Sequence, residues 1–391
     1  MPMYQQRGQV PKKRHTQSRH NGNLLAEEVF GLEGFSGNES ILYHLHSPER
    51  LLALGEFEPI LRQEWVPEKH AHRHLHTGQI APSGDALSGR RLLMWNDDLE
   101  FAFCRPDQEM TYFYRNGEGD EVIFVHEGTG TLETIFGTLP YRAGDYIVIP
   151  RGTTYRFQIE GPQRYLVFTS PGLIEIPRSY RNEYGQLLEH APYYNRDIHP
   201  VGELVTHEEQ GKFQVKVRAR GGYQTYILDY HPFDLVGWDG YCYPWTFNIE
   251  DFEPIVKRVH MPPTSHVTFE GHNFVICSFC PRVLDWDPQA IPIPYHHSNL
   301  NSEESMYYLS SNFGSRRGIE QGSITIHPSG VPHGPQPGAT EKSLGATRTE
   351  EQAVMWDTFH PLHLTAFDQE IDDPNYAYSW SPNRTGASES K

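Results

Sequence analysis

The sequence predicts a mainly β protein, made of duplicated antiparallel barrels or sandwiches with few short helices. Three observations carry that expectation. Pro (30), Gly (34) and aromatic residues (13%) are numerous, a mix that suits many short strands joined by turns. From Arg91 onward, segments such as LLMWNDDLEFAFC, DEVIFVHEG and RYLVFTSPG alternate apolar and polar residues at period two. One strand–turn pattern also occurs twice, as GDYIVIPRGTTYRF (144–157) and GSITIHPSGVPHGP (322–335).

Composition bounds the partners. A chain of 391 residues with 37% apolar and 21% charged residues folds around a large core, as one or two domains. The net charge of -17 argues against nucleic acid, because phosphate binding needs a basic face. No apolar run reaches about 18 residues, so no membrane-spanning helix is expected. The opening MPMYQQRGQVPKKRHTQSRHNG lacks the apolar segment of a secretory leader. Four irregularly spaced cysteines do not make a disulfide framework, which points to a reducing cytoplasm.

Taken in order, residues 1–22 are expected to form an irregular arm. Residues 23–250 are expected to form an N-terminal β domain, and residues 251–391 a C-terminal one. LLAEEVF (24–30) suggests a short helical turn and ILYHLH (41–46) a strand. HAHRHLHTG places His70, His72, His74 and His76 at period two, which on a strand is one face. That tract is either a metal site or a polar strand face. KFQVKVRARGG and YQTYILDYH read as paired strands. FDLVGWDGYCYPWTF reads as packing at a domain junction, and SHVTFEGHNFVICSFCP returns to strands. Cys277 and Cys280 form a lone C-x-x-C, better suited to buried strand cysteines than to zinc.

The repeated pattern has the form G-x-x-x-x-x-P-x-G-x-x-(His or aromatic). It resembles the second conserved motif of cupin barrels, whose last position is a metal-binding His. The first copy ends in Tyr155 and the second in His333. HSNLNSEE (297–304) also lies against RNGEGDEV (115–122), setting His297 against Arg115 and Glu303 against Glu121. The chain is thus expected to be a bicupin whose first barrel has lost its ligands.

His297, Glu303 and His333 offer two imidazoles and one carboxylate, the ligand set of a non-haem Fe(II) oxygenase. His296 and Glu304 adjoin two of them, and alternation sends neighbours to opposite faces, so both are assigned to packing. His327, six residues before His333, is expected to face the same cavity and touch substrate. His260, in RVHMPPTSH, is one of 22 histidines able to act as general base.

At PYHHSNLNSE and GSITIHPSGVPHGP the chain resembles the homogentisate 1,2-dioxygenase family, with its H-x5-E and closing PHGP. The resemblance implies Fe(2+) on His297, Glu303 and His333. It implies substrate contacts from His327 and His333, with His260 as catalytic base. The implied reaction opens the ring of homogentisate with both atoms of O2, giving maleylacetoacetate in tyrosine and phenylalanine catabolism. Trimer-based hexamers are implied as well. Two positions depart from the family. Asn312 stands where a substrate-contacting Tyr is common, and Ser298 where an Arg is common. These departures admit a related hydroquinone or gentisate-like substrate. A zinc or manganese cupin isomerase or hydrolase, and a non-catalytic bicupin binding protein, are the rival readings.

Overall fold

The computed structural model describes residues 3–260, 263–310, 313–316 and 318–381. The alternating segments fold as strands throughout, and the two α-helices, Ala339–Ser343 and Asp368–Ile371, are single turns. The larger sheet is built on strands Asp120–Thr134 and Thr154–Ser170. They pair antiparallel from Asp120 opposite Ser170 to Thr134 opposite Tyr155. The register shifts between Val125 and Glu127 and again between Glu127 and Thr129. Bulges of this kind bend a strand and let a sheet curl. Gly128 sits in that bend at φ +113, where a Cβ would collide with the Gln163 side chain. Val122, Phe124, Phe157, Leu166 and Phe168 turn inward along the pair and are buried. Each such side chain contributes roughly 1.5–3 kcal/mol of transfer free energy.

The second sheet has six strands. Their order is Val267–Gly271, Phe274–Phe279, Ala353–Thr358, Glu303–Tyr308, Ser323–His327 and Arg73–His76. The last of these comes from early in the chain. In return, His363–Thr365 pairs with Arg90–Trp95 in the larger sheet. Strands therefore cross the division expected at residue 250 in both directions. The sheets share a core: Trp356 stacks on Phe101 at 4.2 Å between ring centroids and meets Phe168 edge-on at 5.4 Å. Aromatic contacts of this sort add about 1 kcal/mol each beyond the area they bury. No helix among the described residues is long and apolar enough to cross a membrane.

Two sequence expectations fail near the N-terminus. The arm is irregular only in part: Gln5–Gly8 forms a strand against Leu235–Gly240. A Cβ at Gly237 would lie 2.2 Å from the Gln9 carbonyl, so glycine there lets the two backbones approach. Arg7 ties the strand down by donating to the carbonyls of Val201 and Gly202. The segment read as a helical turn is instead strand Ala26–Gly31, paired with Glu39–His44. The sheet partner overrides a weak local helix preference. The strands expected over 212–231 form as Gln210–Ala219 and Gly222–Tyr230, joined through Arg220 and Gly221, both with positive φ. All four cysteines are buried and unpaired.

Candidate metal centre

Strand Glu303–Tyr308 runs between Ala353–Thr358 and Ser323–His327, and all six of its residues are buried. Both faces are covered, so polarity no longer distinguishes in from out. The pairing does: Glu304 lies opposite His327 on one side and Asp357 on the other. Successive side chains point to opposite faces, so Glu303 and Glu304 diverge.

Glu304 is the carboxylate that meets the histidines. Its Oε2 is 3.7 Å from His297 Nε2 and 3.5 Å from His333 Nε2, and its Oε1 is 2.8 Å from His327 Nδ1. His297, Glu304 and His333 each offer a ligand atom, all within 4.8 Å of one another. The backbone sets this convergence. His297 N donates to His333 O at 2.9 Å and His333 N to His297 O at 2.8 Å. The turn predicted at Pro328 and Gly330 delivers His333: Gly330 has φ +76 and donates to Asn299 O at 2.7 Å. Gly334 follows because a Cβ there would lie 2.8 Å from the His296 Cα.

Glu303, the carboxylate expected in the cluster, does not reach it. Its Oε2 accepts from Leu362 N at 2.8 Å, and it faces a separate cavity beside Glu64, His70, Arg73 and His363. The spacing to His297 is correct, but extended geometry turns Glu303 away and Glu304 inward, reversing the expected assignment of the two.

The cluster suits a metal ion. The 3.5 and 3.7 Å separations are long for hydrogen bonds. They are near the roughly 3–3.5 Å between two ligands that each lie about 2.1 Å from one ion. The Nε2 atoms of His327 and His333 are buried without a hydrogen-bond partner. Burial by itself pushes the Glu304 carboxyl up. The neighbouring imidazoles of His297, His327 and His333 outweigh this and hold it well below the usual carboxylate range. It is therefore an anion, as a ligand must be. The Glu304 carboxylate in turn raises His297. Burial lowers His327 to about 3, keeping it neutral. Asp357 is pushed up to about 8, by burial first and by neighbouring Glu304 second.

Three other groups pack around the cluster. His72 Nε2 lies 3.0 Å from Pro332 O, and its ring is 5.3 Å from His327 and 6.1 Å from His333. Trp380 packs 4.8 Å from His72 and donates its indole N–H to Gly334 O at 3.1 Å. Arg316, half-buried against the Trp380 ring, also donates to Gly334 O, at 2.7 Å. His327 touches Glu304 and stacks on His333 at 4.5 Å, so it braces the cluster from behind. His260 lies outside the cluster against Tyr295, whose ring is 4.6 Å from His260 and 6.2 Å from His297. Its Nε2 is buried and unpartnered. Asn312 lies outside the described residues.

The first copy of the motif holds a guanidinium where the second gathers histidines. Arg90 donates to Glu121 and, at 2.9 Å, to the Tyr155 hydroxyl, which itself donates to Glu121 at 2.6 Å. A fixed cation on a side chain neutralises the buried carboxylate there.

Sequence comparison decides the family. The model of the homogentisate 1,2-dioxygenase N-terminal region matches residues 87–249, and that of the C-terminal region matches residues 243–386. The chain belongs to the homogentisate 1,2-dioxygenase family. A protein of Saccharolobus solfataricus, named as a dioxygenase without a substrate, is 44% identical over 97% of this chain and 99% of its own. The homogentisate 1,2-dioxygenase of Emericella nidulans is 25% identical over 90% of this chain and 80% of its own. That of Rhizobium meliloti is 23% identical over 96% and 89%. Among solved structures, a cupin 2 conserved barrel domain protein from Leptotrichia buccalis covers 75% of this chain and 98% of its own. Its TM-score is 0.34 at 9% identity.

Sequence reasoning missed His72, Trp380, Asp357 and the inward role of Glu304. His72 lay inside a tract already singled out for its histidines. Asp357 and Trp380 carried no signal, because a strand register and a C-terminal turn bring them in.

Proposed function

We propose that this chain is an Fe(II)-dependent ring-cleaving dioxygenase acting on a 2,5-dihydroxyphenyl substrate, homogentisate first among them, in tyrosine and phenylalanine catabolism. The observation that carries the proposal is the His297–Glu304–His333 cluster, in a chain of this family. Two imidazoles and a carboxylate converging on one point suit a non-haem iron with open positions for substrate and O2. Iron(II) held there supplies a Lewis-acid charge for a phenolate oxygen and one-electron reactivity toward O2.

The protein's own groups do the rest. His260 Nε2, buried and unpartnered, accepts the phenolic proton of a substrate seated between Tyr295 and the cluster. His327 Nδ1 holds Glu304 Oε1 so that Oε2 stays aimed at His297 and His333. Trp380 and His72 exclude water from the far wall. Family resemblance adds a trimer-based hexamer, which sedimentation velocity tests.

The deciding experiment loads the protein with Fe(II) anaerobically, adds homogentisate, and follows O2 uptake and ring-opened product. One O2 consumed per homogentisate is expected. A second reading is specific for another hydroquinone or gentisate-like compound. Its support is that Asn312 and Ser298 stand where the family commonly has Tyr and Arg. Uptake with those compounds and none with homogentisate selects it. No uptake with any of them overturns the dioxygenase assignment.

A further inference from the structure

The histidine tract that drew attention in the sequence divides in the structure. His70 and His72 turn toward the loop that carries His333, at Ser329 O and Pro332 O. His74 and His76, on strand Arg73–His76, form a second group with Asp373 from the C-terminal segment. Each of the three offers a ligand atom, all within 4.8 Å of one another. The His74 and His76 rings are 4.2 Å apart, and His74 Nδ1 is 3.9 Å from Asp373 Oδ2.

We infer that His74, His76 and Asp373 form a second metal site, separate from the catalytic cluster and suited to Zn(II). Three features support it. His76 Nδ1 is a buried nitrogen with no hydrogen-bond partner. His74 Nε2 lies 2.7 Å from Ser323 Oγ. An ion on Nδ1 leaves that Nε2 protonated and bonded to the hydroxyl, the outer hydrogen bond a ligand histidine ordinarily makes. Finally, Glu320 Oε2 is 4.0 Å from His76 Nδ1 on a largely exposed side chain, able to swing in as a fourth ligand. Two imidazoles with one or two carboxylates in a four-coordinate arrangement match zinc. His76 and Asp373 remain about a quarter and a third exposed, which leaves solvent a path in.

The site has a structural consequence. Asp373 N also donates to His74 O at 2.8 Å, and Arg73 pairs with Asp372 at 2.8 Å. The same segment continues to Tyr376, 5.4 Å from His74, and to Trp380 over His72. Zinc at His74, His76 and Asp373 pins this segment to the sheet and so holds Trp380 against the wall of the catalytic cavity.

The test uses the full chain, stripped with chelator and titrated with Zn(II), with bound metal counted by mass spectrometry. Wild type is expected to take two equivalents, and His76→Ala and His333→Ala one each. Zinc in His76→Ala at the wild-type stoichiometry overturns the proposal, as does a single equivalent in wild type that His333→Ala abolishes. A second measurement guards against misfolding of His76→Ala. Co(II) added to His333→Ala is expected to give the visible bands of a tetrahedral ion. Adding Asp373→Asn should remove them while the circular dichroism stays unchanged. Absence of the bands in His333→Ala, or their persistence with Asp373→Asn, also overturns it. Neither arm depends on dioxygenase activity.

Discussion

His297 and His333 face each other across a two-bond backbone bridge, 36 residues apart in sequence and with ring centroids 4.2 Å apart. The bridge fixes two imidazoles before any metal arrives, and it makes the choice of carboxylate decisive. Among the described residues, Glu304 is the carboxylate that groups with both. Glu304→Gln is expected to lower metal affinity roughly a hundredfold or more, since losing even an outer partner costs 10–100-fold. Glu303→Gln is expected to bind metal as wild type does. Metal content after dialysis decides it, and a Glu303→Gln chain that loses its metal would return the ligand role to Glu303.

His327 braces Glu304 without offering an atom of its own to the His297–Glu304–His333 group. His327→Ala is therefore expected to retain the site with affinity reduced about 10–100-fold. Isothermal titration with Fe(II) under anaerobic conditions reads this directly. Unchanged affinity would remove the bracing role.

His260 is proposed to move a proton and not to hold metal. His260→Ala is expected to cut kcat about 10²–10⁴-fold while metal stoichiometry stays the same. Loss of metal in His260→Ala would count against that division of labour.

In the first copy, Arg90 and Glu121 are both nearly sealed from solvent. Removing one charge strands the other. Arg90→Leu is expected to cost about 3–5 kcal/mol in urea unfolding, and a paired Arg90→Leu/Glu121→Leu change should recover much of it. The metal content of the second copy is expected to stay unchanged.

His44 makes folding pH-dependent. Burial lowers its pKa, but hydrogen bonds to Asp234 and Glu28 dominate and raise it to about 9. A histidine raised in the folded state contributes stability that is complete below its unfolded pKa near 6.5 and lost as pH climbs through about 9. The contribution is on the order of 3 kcal/mol. Denaturant midpoints measured from pH 6 to pH 10 should fall across that window in wild type and less steeply in His44→Gln. Parallel slopes in the two would refute the linkage.

Much of this protein is legible in its sequence. Period-two alternation gives strands, because a strand's side chains alternate whatever it later packs against. The two copies of the G-x-x-x-x-x-P-x-G turn announce the repeat, and the loss of His at Tyr155 shows which copy is degenerate. His333 is legible for the same reason, because it sits beside a turn whose Pro328 and Gly330 fix the local backbone, and His297 is legible from its H-x5-E spacing.

What the sequence leaves open is whatever depends on pairing. Glu303 and Glu304 are chemically identical, and a shift of one residue exchanges the faces of a strand. The pairing of Glu304 with His327 and Asp357 settles which one enters the cluster. Arg90 gives no sign in sequence of replacing a metal beside Glu121 and Tyr155. The arm at Gln5–Gly8 becomes a strand only because Leu235–Gly240 offers it an edge. His74 and His76 are visible as a tract, but Asp373 joins them from nearly 300 residues away. Local residues determined the elements and the ligand types. Contacts between distant strands decided which atoms meet.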